Sequence, residues 1–181
     1  MALTVEDGTG LAAAESYASA AEAIAYLDAH AASGSSNVFT AASTPDQEIA
    51  LRAATDYLDG NYSSRWLGYR ANQVQALDWP RSDVTDIDGY AIASTTVPQR
   101  LKDATAELAL RFIATSSGHD TQRLQPDQTP PVGQVTVKRT KAGPVETETR
   151  FASGGDQQTR YTFLARMLQR LINPVGGVAL G

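Results

Sequence analysis

Apolar residues recur at intervals of three and four in four stretches of the chain, the spacing that lines one face of an α-helix. Ser19 followed by Glu22 makes a Ser-x-x-Glu capping box and starts the first, expected over residues 20–30. Thr44, with Pro45 at the first helical position and Gln47 three residues after the cap, starts the second. Its stripe is Ile49, Ala50, Ala53, Ala54, Tyr57 and Leu58, and Gly60 supplies a stop near Asp59. Thr96 and Pro98 open the third, which runs to about Thr115. Leu101, Ala104, Thr105, Leu108 and Phe112 share its apolar face, while Arg100, Lys102, Asp103 and Arg111 turn to water. The fourth is expected over residues 159–172, where Tyr161, Leu164, Leu168, Leu171 and Ile172 face one way.

Between the helices the pattern changes. Leu3 to Val5 reads as a short extended start, with a turn at Gly8 and Gly10. Residues 31–43 are rich in Ser, Ala, Gly and Asn, with only Val38 and Phe39 to anchor them, and read as a loop. From 61 to 98 periodicity is lost while Tyr62, Trp66, Tyr69, Trp79 and Tyr90 accumulate, and only residues 72–77 suggest a short helix. A stretch of that length without a period is either functional or packed as a compact loop. Residues 116–131 contain Gly118, Pro126, Pro130 and Pro131 and read as a linker. Val135, Val137, Val145, Thr147, Thr149 and Phe151 alternate with polar residues across Ala142-Gly143-Pro144, a hairpin at period two. A lone two-stranded hairpin is marginal in water and asks for a partner. Pro174, Gly176 and Gly177 turn residues 173–181 into an apolar tail. The expected architecture is mainly α and one domain with arms: a compact bundle of three to four helices, a β-hairpin arm and an extended C-terminal tail. Its boundaries are 1–117 for the helical body, 118–132 for the linker, 133–152 for the hairpin and 153–181 for the last helix and tail.

With 181 residues, 42% of them hydrophobic and 19% charged, the chain can bury enough apolar surface to fold. No apolar run approaches the ~20 residues of a bilayer span and the N-terminus lacks a leader pattern, so a soluble, unprocessed protein with no membrane partner is expected. Zero cysteines exclude disulfide staples, a thiol nucleophile and a thiolate metal site, which fits a reducing cytosol. His30 and His119 have no companion ligands at metal spacing. Asp86-Ile87-Asp88-Gly89 resembles the core of a calcium loop, but Val84 stands where it should open and Thr95 where a bidentate carboxylate should close it, so a turn is expected. Gly8-Thr9-Gly10 and Ser153-Gly154-Gly155 lack the lysine of a phosphate loop and read as hinges. Asn61-Tyr62-Ser63 is a glycosylation tripeptide without a secretory route. Asp56 and Asp59 read as a solvated helix face, and no Gly-x-Ser-x-Gly elbow is present. No catalytic residue, cofactor or metal is expected, and the enzyme class is set aside.

Charge divides the chain. Residues 1–93 hold 13 Asp+Glu against 4 Arg, or -9, and residues 94–181 hold 11 Lys+Arg against 7 Asp+Glu, or +4, which together give the net -5. Such a division suits subunits that pack acidic flank against basic flank, and equally a folded surface on which both signs mix. Arg65, Trp66, Tyr69, Arg70, Trp79 and Arg81 interleave cations with aromatics, as single-strand stacking platforms do. Against that, Trp66 and Trp79 serve as well as core anchors alongside Tyr57 and Phe112, and Asp56, Asp59, Asp78, Asp83, Asp86 and Asp88 would repel phosphate.

The segments Ala53-Ala54-Thr55-Asp56-Tyr57-Leu58-Asp59-Gly60, Arg65-Trp66-Leu67-Gly68-Tyr69-Arg70 and Ala76-Leu77-Asp78-Trp79-Pro80-Arg81 resemble a family of tailed-phage proteins. The likeness continues through Asp88-Gly89-Tyr90-Ala91-Ile92, Val97-Pro98 and Ala106-Glu107-Leu108-Ala109-Leu110 to Gly143-Pro144-Val145. Members are often labelled as resembling a primosomal single-strand DNA-binding protein, and they are similar to head-tail connector, or adaptor, proteins of the phage neck. The first expectation this implies is a structural adaptor, made in the host cytoplasm and built into the virion. It would form a homo-oligomeric ring, a dodecamer, beneath the portal protein, meet a tail-side stopper or tail-completion protein, and let packaged double-stranded DNA through its channel. Lys138, Arg139, Lys141 and Arg150 of the hairpin and Arg160, Arg166 and Arg170 of the last helix would then make ring or partner contacts. The second expectation is a single-stranded DNA-binding accessory protein of phage replication, with Arg65, Trp66, Arg70 and Trp79 as its site.

Overall fold

The computed structural model describes residues 2–30, 38–116, 137–142, 145–150 and 161–173. They fall in two compact units, Met1–Leu124 with Phe163–Gly181, and Gln125–Thr162. The class is mainly α with small antiparallel strand pairs, as expected.

In the first unit α1 spans Ala20–His30. Its capping box forms as read: the Ser19 N–H donates to Glu22 Oε2 at 2.8 Å and the Glu22 N–H to Ser19 Oγ at 3.2 Å. Within the expected loop after it stands a helical turn, α2, Val38–Ala41, too short to show a period in the sequence. Phe39 is buried there, and its carbonyl accepts from Gln47 Nε2 at 2.8 Å. The next helix, α3, spans Thr44–Tyr62, and its cap is Ser43 rather than Thr44, with the Ser43 side chain accepting from the Asp46 N–H. Gly60 does not stop it, because the residue faces open space and the helical hydrogen bonds continue to Tyr62. The buried stripe is also rotated from the one expected. Leu51, Thr55 and Tyr62 join Ala50, Ala54 and Leu58 in it, while Ile49 is 62% exposed.

Helix α4, Gln99–Ser116, packs against α1, α2 and α3, so it buries more than one face. Ala106, Glu107, Ala109 and Ile113 are inside along with the expected Leu101, Ala104, Thr105 and Leu108. Lys102 is not simply hydrated, since it pairs with Glu22 at 2.6 Å, and Arg111 is half-buried. Tyr57 and Phe112 are half-buried and meet edge to face at 6.4 Å.

Residues 66–98 carry two small ladders. Strand β1, Tyr69–Arg70, pairs with β2, Arg81–Ser82, and β3, Val84–Thr85, pairs with β4, Ala91–Ile92, both antiparallel. No helix forms at 72–77: Asn72 Oδ1 accepts from the N–H groups of Val74 at 2.9 Å and Gln75 at 2.7 Å, so side chains take the bonds a helix would supply. The Asp86 to Gly89 turn is present, with Asp86 Oδ1 accepting from the N–H groups of Asp88 and Tyr90, each at 2.9 Å. The Gly8 to Gly10 segment is fastened rather than hinged, because the buried Glu6 carboxylate accepts from Gly8, Gly10 and Leu11 N–H groups at 2.9, 2.8 and 2.9 Å.

Helix α5, Thr162–Leu168, ends before the expected Ile172, and the chain continues as a strap. The Leu67 N–H donates to the Leu171 carbonyl at 3.0 Å and the Asn173 N–H to the Arg65 carbonyl at 2.7 Å. The apolar face read for this helix is buried at Tyr161, Leu164, Leu168, Leu171 and Ile172. In the second unit β5, Val137–Ala142, pairs antiparallel with β6, Val145–Arg150, so the hairpin forms where period two placed it. The linker 118–132, the tail 174–181, Val135, Phe151, Ser153 to Gly155, His119 and Arg160 lie outside the described residues.

Asp59, read as part of a solvated face, instead fastens the irregular segment to α3. The Tyr17 hydroxyl donates to Asp59 Oδ1 at 2.5 Å, and the Asp78 N–H donates to Asp59 Oδ2 at 3.1 Å and to the Tyr17 hydroxyl oxygen at 3.0 Å. The Trp79 N–H reaches the same hydroxyl at 3.3 Å. Burial first, then the nearby Asp78 and Asp56 charges, push the Asp59 carboxyl up to about 6, against the hydrogen bonds that favour its ionised form.

Two outcomes follow from this packing. A Cβ at Gly68, whose φ is +66°, would meet the Ser82 carbonyl oxygen at 2.2 Å and Val84 Cγ2 at 2.7 Å. Gly68→Ala should therefore lose about 2–4 kcal/mol in denaturant unfolding, and a loss within 0.5 kcal/mol, the ordinary surface range, would refute the tight approach. For Asp59 the folded protein favours the neutral acid, so its contribution is complete below the ordinary 3.8 and is lost as pH rises through about 6. Stability should fall by about 3 kcal/mol across that window, and the fall should be absent in Asp59→Asn. An unchanged pH slope in the variant would assign the effect elsewhere.

Candidate nucleic-acid interface

The interleaved cation and aromatic set divides into an inner and an outer group. Trp79 is 0% exposed and Trp66 4%, their rings meet edge to face at 6.0 Å, and Tyr62 lies 5.7 Å from Trp66. Both tryptophans are core anchors, and neither offers a face on which a base can stack; the single-strand site read at Trp66 and Trp79 is corrected on that ground. Arg81 is buried with them. Its guanidinium donates to the carbonyls of Leu67 and Gly68 at 2.7 Å each and of Asp78 at 3.2 Å, closing the base of the first ladder. Burial lowers its pKa, and the Asp78 charge opposes that shift. Arg65 is half-buried, 5.4 Å above the Tyr62 ring, with Nη2 3.5 Å from the Asn173 carbonyl.

The outer group is Tyr69, Arg70 and Tyr90. Tyr69 is 73% exposed and Tyr90 74%, and Arg70, beside Tyr69 on β1, is exposed while donating to the Gln75 carbonyl. Val74 and Ile87 are exposed nearby in sequence, which leaves Ile49 as the other exposed large apolar residue among the described residues. Tyr69 stands on the first ladder and Tyr90 in the turn that joins the strands of the second; the two ladders are consecutive in the chain, since β2 and β3 are separated by Asp83 alone, held at φ 56°. Each ladder is a single layer of two-residue strands, too small to cover both its faces. The sequence placed Tyr69 among the candidates but gave no role to Tyr90, because a tyrosine after a glycine turn carries no signal of its exposure.

Three of the other cations of this unit, Arg52, Lys102 and Arg170, meet carboxylates within the chain. Arg52 lies 3.1 Å from Glu15 and 3.7 Å from Glu48, and Arg170 contacts Asp88 and lies 3.6 Å from Asp86. Arg100 at the start of α4 and Arg166 on α5 are exposed. In the second unit Lys138, Arg139 and Lys141 stand on β5 and Arg150 on β6, and the register sets Arg139 opposite Glu148 and Lys141 opposite Glu146. Of the residues read for ring or partner contacts, Arg170 is thus engaged inside the chain. His30 Nδ1 lies 2.7 Å from the Tyr26 carbonyl. Among the described residues no group of three or more His, Asp or Glu could hold a metal ion, and no helix is long and apolar enough to cross a membrane. The chemistry on offer is two solvent-facing aromatic rings, one of them with an adjacent guanidinium.

Residues 1–180 match the family described as "Putative DnaT-like ssDNA binding protein". The match covers nearly the whole chain, and the chain belongs to that family. It supports the single-strand-binding side of the resemblance and lends nothing to the head-tail connector side. Among curated proteins and among solved structures nothing matches the chain.

Proposed function

We propose that the chain, as a member of this family, binds single-stranded DNA, with bases stacking on Tyr69 and Tyr90 and Arg70 meeting phosphate. The observation that carries the reading is the exposure of both rings, Tyr69 on the first ladder and Tyr90 in the turn of the second, joined to the family's description. Every base has a π-face, so stacking on tyrosine tolerates any sequence. The cations of this unit are mostly engaged, so few phosphates are neutralised and the salt dependence is shallow. A slope of log K against log salt of roughly -0.7 to -1.4, one or two phosphates, is expected.

The test is fluorescence anisotropy with an oligo(dT) of about 15 nucleotides, the upper range of single-strand site sizes. Tyr69→Ala and Tyr90→Ala should each weaken binding by about 5- to 100-fold, the worth of one stacked base. Intrinsic tryptophan emission should barely respond to DNA, because both indoles are buried. Wild-type affinity in both tyrosine variants would sink the reading.

A second reading, the head-tail adaptor, has on its side the charge difference between the acidic first half of the sequence and the basic second half, part of which is met inside the folded unit by the Lys102–Glu22 and Arg170–Asp88 pairs. Charge left over on opposite surfaces would orient copies in a ring. Co-sedimentation with portal protein of the full chain, but not of a chain truncated before Asn173, supports it; equal behaviour of the two removes the tail from the contact.

A further inference from the structure

Arg170 stands in the strap that follows α5, and its guanidinium contacts the Asp88 carboxylate and lies 3.6 Å from Asp86. Those two residues belong to the turn that presents Tyr90: Asp86 accepts the Tyr90 N–H, and the Asp86 N–H donates to the Tyr90 carbonyl at 2.9 Å. A guanidinium is therefore fixed at the root of an exposed aromatic ring, which is the pairing a nucleotide needs for its base and its phosphate. In the free protein a carboxylate occupies the guanidinium, and carboxylate and phosphate oxygens suit the same planar fork.

We propose that Arg170 is a phosphate-binding residue of the Tyr90 site, kept occupied by Asp88 until single-stranded DNA displaces the carboxylate. The inference rests on the single-strand-binding reading and deepens it, because it makes the site self-screened against weaker anions. The pair is not needed to fasten the strap, which already holds by the Leu67 to Leu171 and Asn173 to Arg65 backbone bonds that make the Trp66 to Ile172 bridge. Nor is Asp88 needed to shape the turn, where the bonds run through the Asp86 carboxylate and the Asp88 backbone. The side chain of Arg170 is 34% exposed and that of Asp88 44%, so solvent screens the contact and DNA can compete for it.

Oligo(dT) titrations of the full chain, as wild type, Asp88→Ser, Arg170→Gln and the double variant, test the proposal. Asp83→Asn serves as the control for loss of a negative charge that does not touch Arg170. Asp88→Ser should bind about fivefold tighter than wild type because no carboxylate has to be displaced, and the salt slopes of both should be steeper than that of Arg170→Gln by about 0.7, one phosphate. That gain should vanish when Arg170→Gln is present and should exceed the gain from Asp83→Asn. An equal gain in the Arg170→Gln background, or one no larger than that of the control, overturns the proposal while leaving the stacking reading intact. Binding by none of the chains overturns both. Unchanged tryptophan emission in each variant establishes that the core has kept its fold.

Discussion

The hydroxyl of Tyr17, the carboxylate of Asp59 and the backbone N–H groups of Asp78 and Trp79 meet in one buried junction, and the irregular third of the folded unit depends on it. A long segment with little regular structure leaves many backbone donors and acceptors without ladder or helix partners, and each such group costs stability if buried unpaired. This chain satisfies them with side chains. Asp59 and Tyr17 take the N–H groups at the start of the Trp79 turn, Gln75 Nε2 takes the carbonyls of Leu77 and Pro80 at 2.8 and 3.0 Å, and Arg81 takes three carbonyls around the first ladder. Once those bonds are made, Trp79 can sink fully into the body with Trp66 against its edge.

The same junction decides which aromatics face outward. Anchoring at residues 78, 79 and 81 commits Trp79 and Arg81 to the body, while Tyr69 on the first ladder and Tyr90 in the turn of the second stay exposed. The Trp-Pro-Arg element is thereby a structural device: its indole fills the core and its guanidinium caps carbonyls, so neither group is left for a ligand.

The helical frame was legible because its signals are local. The Ser19 and Glu22 capping box placed α1, and period two placed the hairpin at 137–150. Where the sequence misled, a non-local contact had overruled a local preference. Gly60 has the right residue type for a stop, yet the bonds of α3 run through it to Tyr62, which packs beside Trp66. Ile49 fits a helical stripe by spacing, but Leu51 and Thr55 lie on the buried side. Asp59 looks like any carboxylate on a helix, and only the arrival of Tyr17 and Asp78, from 42 residues before and 19 after, gives it a buried role. The candidate site suffers from the same blindness, since burial separates Trp79 from Tyr69 although both read as aromatics beside arginines.

Electrostatics then limits what this surface can do. Residues 1–93 carry 13 carboxylates against 4 arginines, of which Arg52 and Arg81 are engaged internally. A DNA-binding protein whose affinity came from counterion release would need a cationic stripe, and the described part of this unit has none. Under the proposed function, affinity for a single strand would come mainly from stacking on uncharged rings, with phosphate contact confined to the few positions where a guanidinium is free or can be freed. On the proposed binding mode that constraint gives the acid at Asp88 a weight beyond its one charge: beside a scarce cation, a competing carboxylate would control a large share of the electrostatics that remain.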